Sequence, residues 1–338
     1  MNKRALLVPL VAAGIAGLPL RADVGIAGPV LGYYVAPSGY VLHAISGVAG
    51  SATLGPSLTT DLDAVWVAPD SRTALGLRGG VVYLLRDIRN PASRISLSAW
   101  SGPIDDVVWA SDSSGVVLYS AERGLLQAAT GLSGNPAVSR EINITGLGGP
   151  LLSLRLSANP WNVALVVRTG SNVARRTASR RPENAAEALY LLNALGAPVL
   201  VAGISRPGPM DFSSDAKSLY VVDETANQLK RVSGSMGATI ETVVLNSVDT
   251  SPANFSDLSI SPDGTRLLIV DKKRQSVCGI GIASGDTEFC TALDFSPAGM
   301  KHLSGSLYFL DAGADPTAPL WILDSDPGRI FFVPMGSR

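Results

Sequence analysis

The chain has 338 residues, with 27 Lys and Arg against 28 Asp and Glu, and only 16% of its residues are charged. A net charge of −1 excludes the broad basic footprint of a dedicated nucleic-acid binder, and 46% hydrophobic residues exclude a disordered chain. The length suits two or three ordinary domains, or one large all-β barrel, sandwich or propeller.

Met1-Asn2-Lys3-Arg4 is a short basic start, and Ala5 to Leu20 carries no charge. That order is the one a secretory leader uses. Pro9, Gly14, Gly17 and Pro19 interrupt the apolar run, which is too short for a membrane-spanning helix. The reading is therefore a leader over residues 1–22, cleaved after Ala22, and a single mature domain over 23–338, secreted into a periplasmic or extracellular space. No transmembrane segment is expected after leader removal.

Downstream, one phrase recurs: an apolar strand, a Pro/Ser-Asp/Asn turn, then a second apolar strand. The copies are Val65-Trp66-Val67-Ala68-Pro69-Asp70, Val107-Val108-Trp109-Ala110-Ser111-Asp112, Leu154-Arg155-Leu156-Ser157-Ala158-Asn159, Met210-Asp211-Phe212-Ser213-Ser214-Asp215 and Leu258-Ser259-Ile260-Ser261-Pro262-Asp263. The turn follows from chemistry, since Pro presets φ and Asp bonds to its own local backbone. The strands expected after each turn are 73–77, 115–119, 162–167, 218–222 and 266–270. A first unit is expected from strands at 31–36, 40–45 and 51–58, and a last one from 300–303, 306–310, 319–323 and 329–333. Four short strands per roughly 40–50 residues is the period of a propeller blade. The one helix expected is Pro182 to Leu192. Trp66 and Trp109 are read as matching inter-blade packing residues, while Trp161 and Trp321 are left as either core or surface aromatic anchors.

Ile260-Ser261-Pro262-Asp263-Gly264-Thr265-Arg266-Leu267-Leu268-Ile269-Val270-Asp271, and Phe212 to Asp223 less closely, resemble the repeat of TolB-like and YVTN-type β-propellers. The resemblance implies an all-β ring of four-stranded blades around a central channel, seven by count. In that superfamily the fold serves protein docking, polymer binding and some lactone or ester hydrolysis, and the repeat itself selects none of them.

Few catalytic groups are available. Only His43 and His302 can serve a hydrolytic triad, and no G-x-S-x-G turn occurs. Ring closure would make the blades of the two histidines neighbours. Asp61, Asp63, Asp105, Asp106, Asp324 and Asp326 offer hard oxygen ligands for a divalent cation such as calcium, but none has EF-hand spacing, and turn capping accounts for them. No cofactor is expected.

Cys278 and Cys290 flank Ala283-Ser284-Gly285-Asp286. A three-residue loop centred on Ser284 sets them opposite each other, within disulfide reach, as suits an oxidising compartment. A two-residue turn puts them on opposite faces as two free thiols.

One segment departs from the repeat. About twenty residues separate the second strand of the fourth unit, ending near Arg168, from the next strand near Leu189, and they hold Arg168, Arg175, Arg176, Arg180 and Arg181. Arginine clusters suit acidic polymers and phosphate, and a solvated excursion is the plain alternative. The sequence reading is a binding or scaffold module that meets a protein or anionic polymer through loops on the face bearing these arginines. The alternative is a propeller hydrolase of lactonase type with a divalent ion at the channel mouth. The two differ in the channel: the hydrolase requires three or more converging Asp, Glu, Asn or His side chains, the binding module small uncharged ones.

Overall fold

The computed structural model describes residues 28–334 apart from 37–39, 60, 91–93, 98–99, 101, 160, 170–185, 235–238, 244–254 and 314–318. Seven antiparallel sheets stand around a common axis, so the chain is a seven-bladed β-propeller. Blade 1 comprises Val30–Val35, Leu42–Ser46 and Thr53–Thr59, three strands among the described residues. The other six blades have four each. They begin with the inner strands Ala64–Val67, Asp106–Trp109, Leu151–Leu156, Pro207–Phe212, Phe255–Ile260 and Gly299–Ser304. Within every blade the strands lie in chain order from the axis outward.

The repeat phrase maps onto the first two strands of each copy. Its turns place Ser71, Ser113, Trp161, Ala216 and Gly264 at positive φ, between 52° and 73°. The preceding Asp holds this geometry: Asp263 accepts hydrogen bonds from Thr265 N (3.1 Å) and Ser261 Oγ (2.5 Å). The turns also touch one another around the ring. Ser113 Oγ accepts from Asp70 N (2.9 Å), Trp161 Nε1 donates to Ser114 Oγ (3.0 Å), and Asn162 Nδ2 donates to Ala216 O (3.0 Å).

Seven separate apolar clusters fill the seven gaps between blades, because a single sheet cannot cover its own two apolar faces. Among the described residues, no strand is exchanged between the first and last blades. Blade 7 packs against blade 1 through Ile45, Leu303, Ile322 and Val333, and Ser304 Oγ donates to Leu31 O.

Residues 186–192 correct one expectation. They form a strand, Ala186–Leu192, which agrees with the strand expected near Leu189 and replaces the helix expected over 182–192; residues 182–185 lie outside the described ones. Leu189 and Leu191 pack toward blade 5, whereas Tyr190 and Leu192 pack toward blade 3. Burial of both faces between neighbouring blades overrides the helix propensity of an Ala-Glu-Ala-Leu run. Trp66 and Trp109 do meet in one cluster, between blades 2 and 3, and they reach it from opposite blades.

Candidate functional site

The second residue of each repeat phrase lies on the inner strand, on the face opposite its apolar neighbours. In blade 5, Met210 and Phe212 pack toward blade 4, so the alternation of the strand turns Asp211 toward blade 6 and the axis. Asp211 Oδ1 accepts from Phe212 N and Oδ2 from Ile260 N of blade 6, both at 2.9 Å. Asp257 repeats the device one blade later: Oδ1 accepts from Leu258 N (2.9 Å) and Oδ2 from Met300 N of blade 7 (2.8 Å). Arg155 of blade 4 extends past blade 5, its Nη2 3.4 Å from Asp257 Oδ1, while its Nη1 donates to Leu154 O at 3.0 Å. Asp106 of blade 3 accepts from Val107 N (2.8 Å), and Lys301 lies on the inner strand of blade 7.

Charge in this enclosed space is costly. Loss of water pushes the Asp211 carboxyl up to about 6, against the pull of Arg155 and of its two backbone donors. Burial likewise lowers the His302 imidazole. Tyr308, fully buried beside this cluster, is raised by burial and then by the charge of Asp211.

The inner strands thus carry charged residues, not the small uncharged ones expected of a binding module's channel. Nor, among the described residues, do three His, Cys, Asp or Glu side chains converge to hold a metal ion. The arrangement ties blade 4 to blade 6, and the carboxylates of Asp211 and Asp257 to the backbone of the next blade. The sequence already held the signal, since Arg155 and Asp211 interrupt apolar phrases at one repeated position. What it lacked was the register that brings side chains 56 and 102 positions apart into one space.

The other acidic residues singled out by the sequence cap turns or pair with arginine. Asp61 meets Arg78 and Arg94 at 3.1 and 2.8 Å, Asp63 accepts from Gly79 N (2.6 Å), Asp105 from Ala121 N (2.7 Å) and Asp324 from Ser306 Oγ (2.7 Å). Asp326 lies 3.4 Å from Arg266 Nη1. The histidines are each engaged within their own blade, His43 Nδ1 with Gly55 O (2.8 Å) and His302 Nε2 with Gly305 O (2.9 Å). Trp161 is an inter-blade residue, bonded to Ser114 and packed over Gly115.

Cys278 and Cys290 form a disulfide, with Cα atoms 4.1 Å apart. Neither expected loop produces it. A four-residue tip closes on the bond from Gly281 N to Asp286 O (2.9 Å), and a bulge beside Glu288 restores the register that sets the cysteines opposite each other.

Arg168 lies near the end of blade 4's second strand, Val163–Thr169, directly across from Glu187. The pairing continues to Thr169 and Ala186. Arg175, Arg176, Arg180 and Arg181 lie outside the described residues.

No family model matches the chain, and no curated protein does. Among solved structures it is similar to Kluyvelomyces marxianus Hsv2, with a TM-score of 0.50 at 13% identity over 91% of this chain and 98% of that one. It is also similar to Kuenenia stuttgartiensis hydrazine synthase, with a TM-score of 0.48 at 11% identity over 96% and 100% of the two chains. At such identities the likeness is one of fold.

Proposed function

We propose that the chain is a secreted binding or scaffold module of the TolB-like and YVTN-type kind, which recognises a protein or an anionic polymer through loops on one face of the ring. The observation that carries this reading is the unbroken pairing of Val163–Thr169 with Ala186–Leu192, from Val163–Leu192 to Thr169–Ala186. It fixes the two feet of the arginine-bearing excursion on a rigid blade, on the face where the second-to-third-strand connections open. Fixed strand ends set where the segment between them emerges from the ring. The disulfide supports an oxidising compartment, and with it removal of residues 1–22 as a leader.

The test compares the intact protein with a variant in which residues 170–185 are replaced by a short Gly-Ser turn. Both are passed over immobilised heparin at about 0.15 M salt, where exposed charges more than about 8 Å apart are screened. Retention of the intact protein and loss of retention by the variant supports the reading. Equal behaviour of the two, on heparin and in pull-downs of protein partners, overturns it.

A further inference from the structure

Seven blades present seven outer edges, and six are visibly blunted against pairing with another strand. On blade 1, Thr53–Thr59 contains Pro56 and shifts register twice. Arg94–Ser96 of blade 2 has three residues and Val199–Leu200 of blade 4 has two. Ala137–Asn143 of blade 3 is bulged and exposes Arg140 and Glu141. Thr239–Thr242 of blade 5 has four residues, including the exposed Glu241. Thr287–Ala292 of blade 6 is bulged beside Glu288.

Arg329–Val333 of blade 7 has only one of these devices, the exposed Arg329 at its end. It runs in five uninterrupted pairs with Leu320–Asp324, without proline or bulge, and no further strand pairs with it among the described residues. Its Phe332 is 61% exposed, the most exposed large apolar side chain described. The ring continues an aromatic ledge, edge-on to Trp321 at 6.4 Å, which in turn stacks on Phe295 at 5.1 Å.

We infer that this edge pairs with the same edge of a second copy of the chain, antiparallel and centred on Phe331, to make one continuous eight-stranded sheet across a two-fold axis. In that register Phe332 of each copy lies opposite Ile330 of the other, so the exposed ring gains an apolar partner. The charge pattern fits a second copy in this orientation. Arg329 is the strand's single charge and sits at its end, so antiparallel pairing holds the two arginines roughly 14 Å apart, at about 3.4 Å per residue. That exceeds the screening length of about 8 Å, whereas parallel pairing would set them side by side. A net charge of −1 adds no long-range repulsion between copies.

Sedimentation of the purified protein between about 1 and 300 µM tests the inference, a range suited to an interface of modest area. The expected result is a concentration-dependent shift from 35.0 kDa toward twice that mass. Phe332→Lys is expected to weaken association by about thirtyfold or more, the scale of a central interface residue. Hydrogen exchange of the 329–333 amides in the unaltered protein decides independently of whether the variant folds: it should slow as concentration rises. A protein monomeric throughout overturns the inference and leaves the edge to a different protein. Exchange that is slow at every concentration overturns it in favour of cover from within the chain.

Discussion

Arg155 and Asp257 meet across the face of the ring, Nη2 to Oδ1 at 3.4 Å, although the whole of blade 5 separates their strands in the chain. Asp257 also receives Leu258 N and Met300 N, so one carboxylate joins blades 4, 6 and 7. This is a brace at the centre of a ring whose first and last blades share no sheet among the described residues.

Removing that carboxylate should therefore cost more than removing its cation. Asp257→Ala leaves the Met300 amide and Arg155 without their acceptor, an expected loss of about 2–4 kcal/mol; Arg155→Met is expected to cost about 1 kcal/mol. Denaturant unfolding of both variants and of the double variant checks this. Equal costs for the two single changes would show that Arg155, not the backbone bond to Met300, dominates.

The carboxyl of Asp211 sets a pH dependence of opposite sign to that of an ordinary paired carboxylate. Its folded value of about 6 lies above the usual carboxylate value of about 3.9, so between these limits the folded chain holds a proton the unfolded chain has lost. Its contribution to stability therefore falls as pH rises through that window. The lowered His302 acts in the opposite sense below about pH 6.5, and comparison with a variant removes it. The stability of Asp211→Asn relative to the unaltered protein should rise from pH 4 to pH 7, measured by unfolding at each pH. A constant difference would refute the shift.

Gly264 stands at φ 73°, and a Cβ there would overlap Ser214 Oγ of the neighbouring turn. Gly264→Ala is expected to destabilise by about 1–3 kcal/mol through both strain and crowding. Ala216 occupies the matching place in blade 5 at φ 58°, so Ala216→Gly should change stability by less than about 1 kcal/mol. Thermal melting of the two variants checks the contrast.

The disulfide closes a hairpin with a sequence separation of 12. Replacing both cysteines by serine should lower unfolding free energy by about 2–3 kcal/mol, as expected for a short closed loop. The change should be matched by adding reductant to the unaltered protein. No effect of either would mean that the two strands hold their register without the bridge.

Much of the architecture was legible because it is local. The turn at Pro262-Asp263-Gly264 and the strands around it follow from residues a few positions apart, and the same chemistry recurs in the other copies. Residues 186–192 were misread because a short apolar segment suits either helix or strand until its neighbours are known. The cysteine pair was legible in its partners but not in its path, since a bulge at Glu288 depends on how the third and fourth strands of blade 6 settle together.

By itself, then, the sequence determined the blade: its period, its turn, its inner strand and the apolar faces that demand neighbours. Tertiary structure alone decided what the ring's centre contains and which edge carries no blunting beyond a terminal charge among the described residues. Arg155 and Asp211 share one repeat position on neighbouring blades, while Asp257 lies two residues earlier on its own inner strand, and rotation about the axis brings all three into one space. The edge at 329–333 stands out only against six others that are blunted. Both are relations between distant blades, and no local pattern along the chain encodes a distance across the ring.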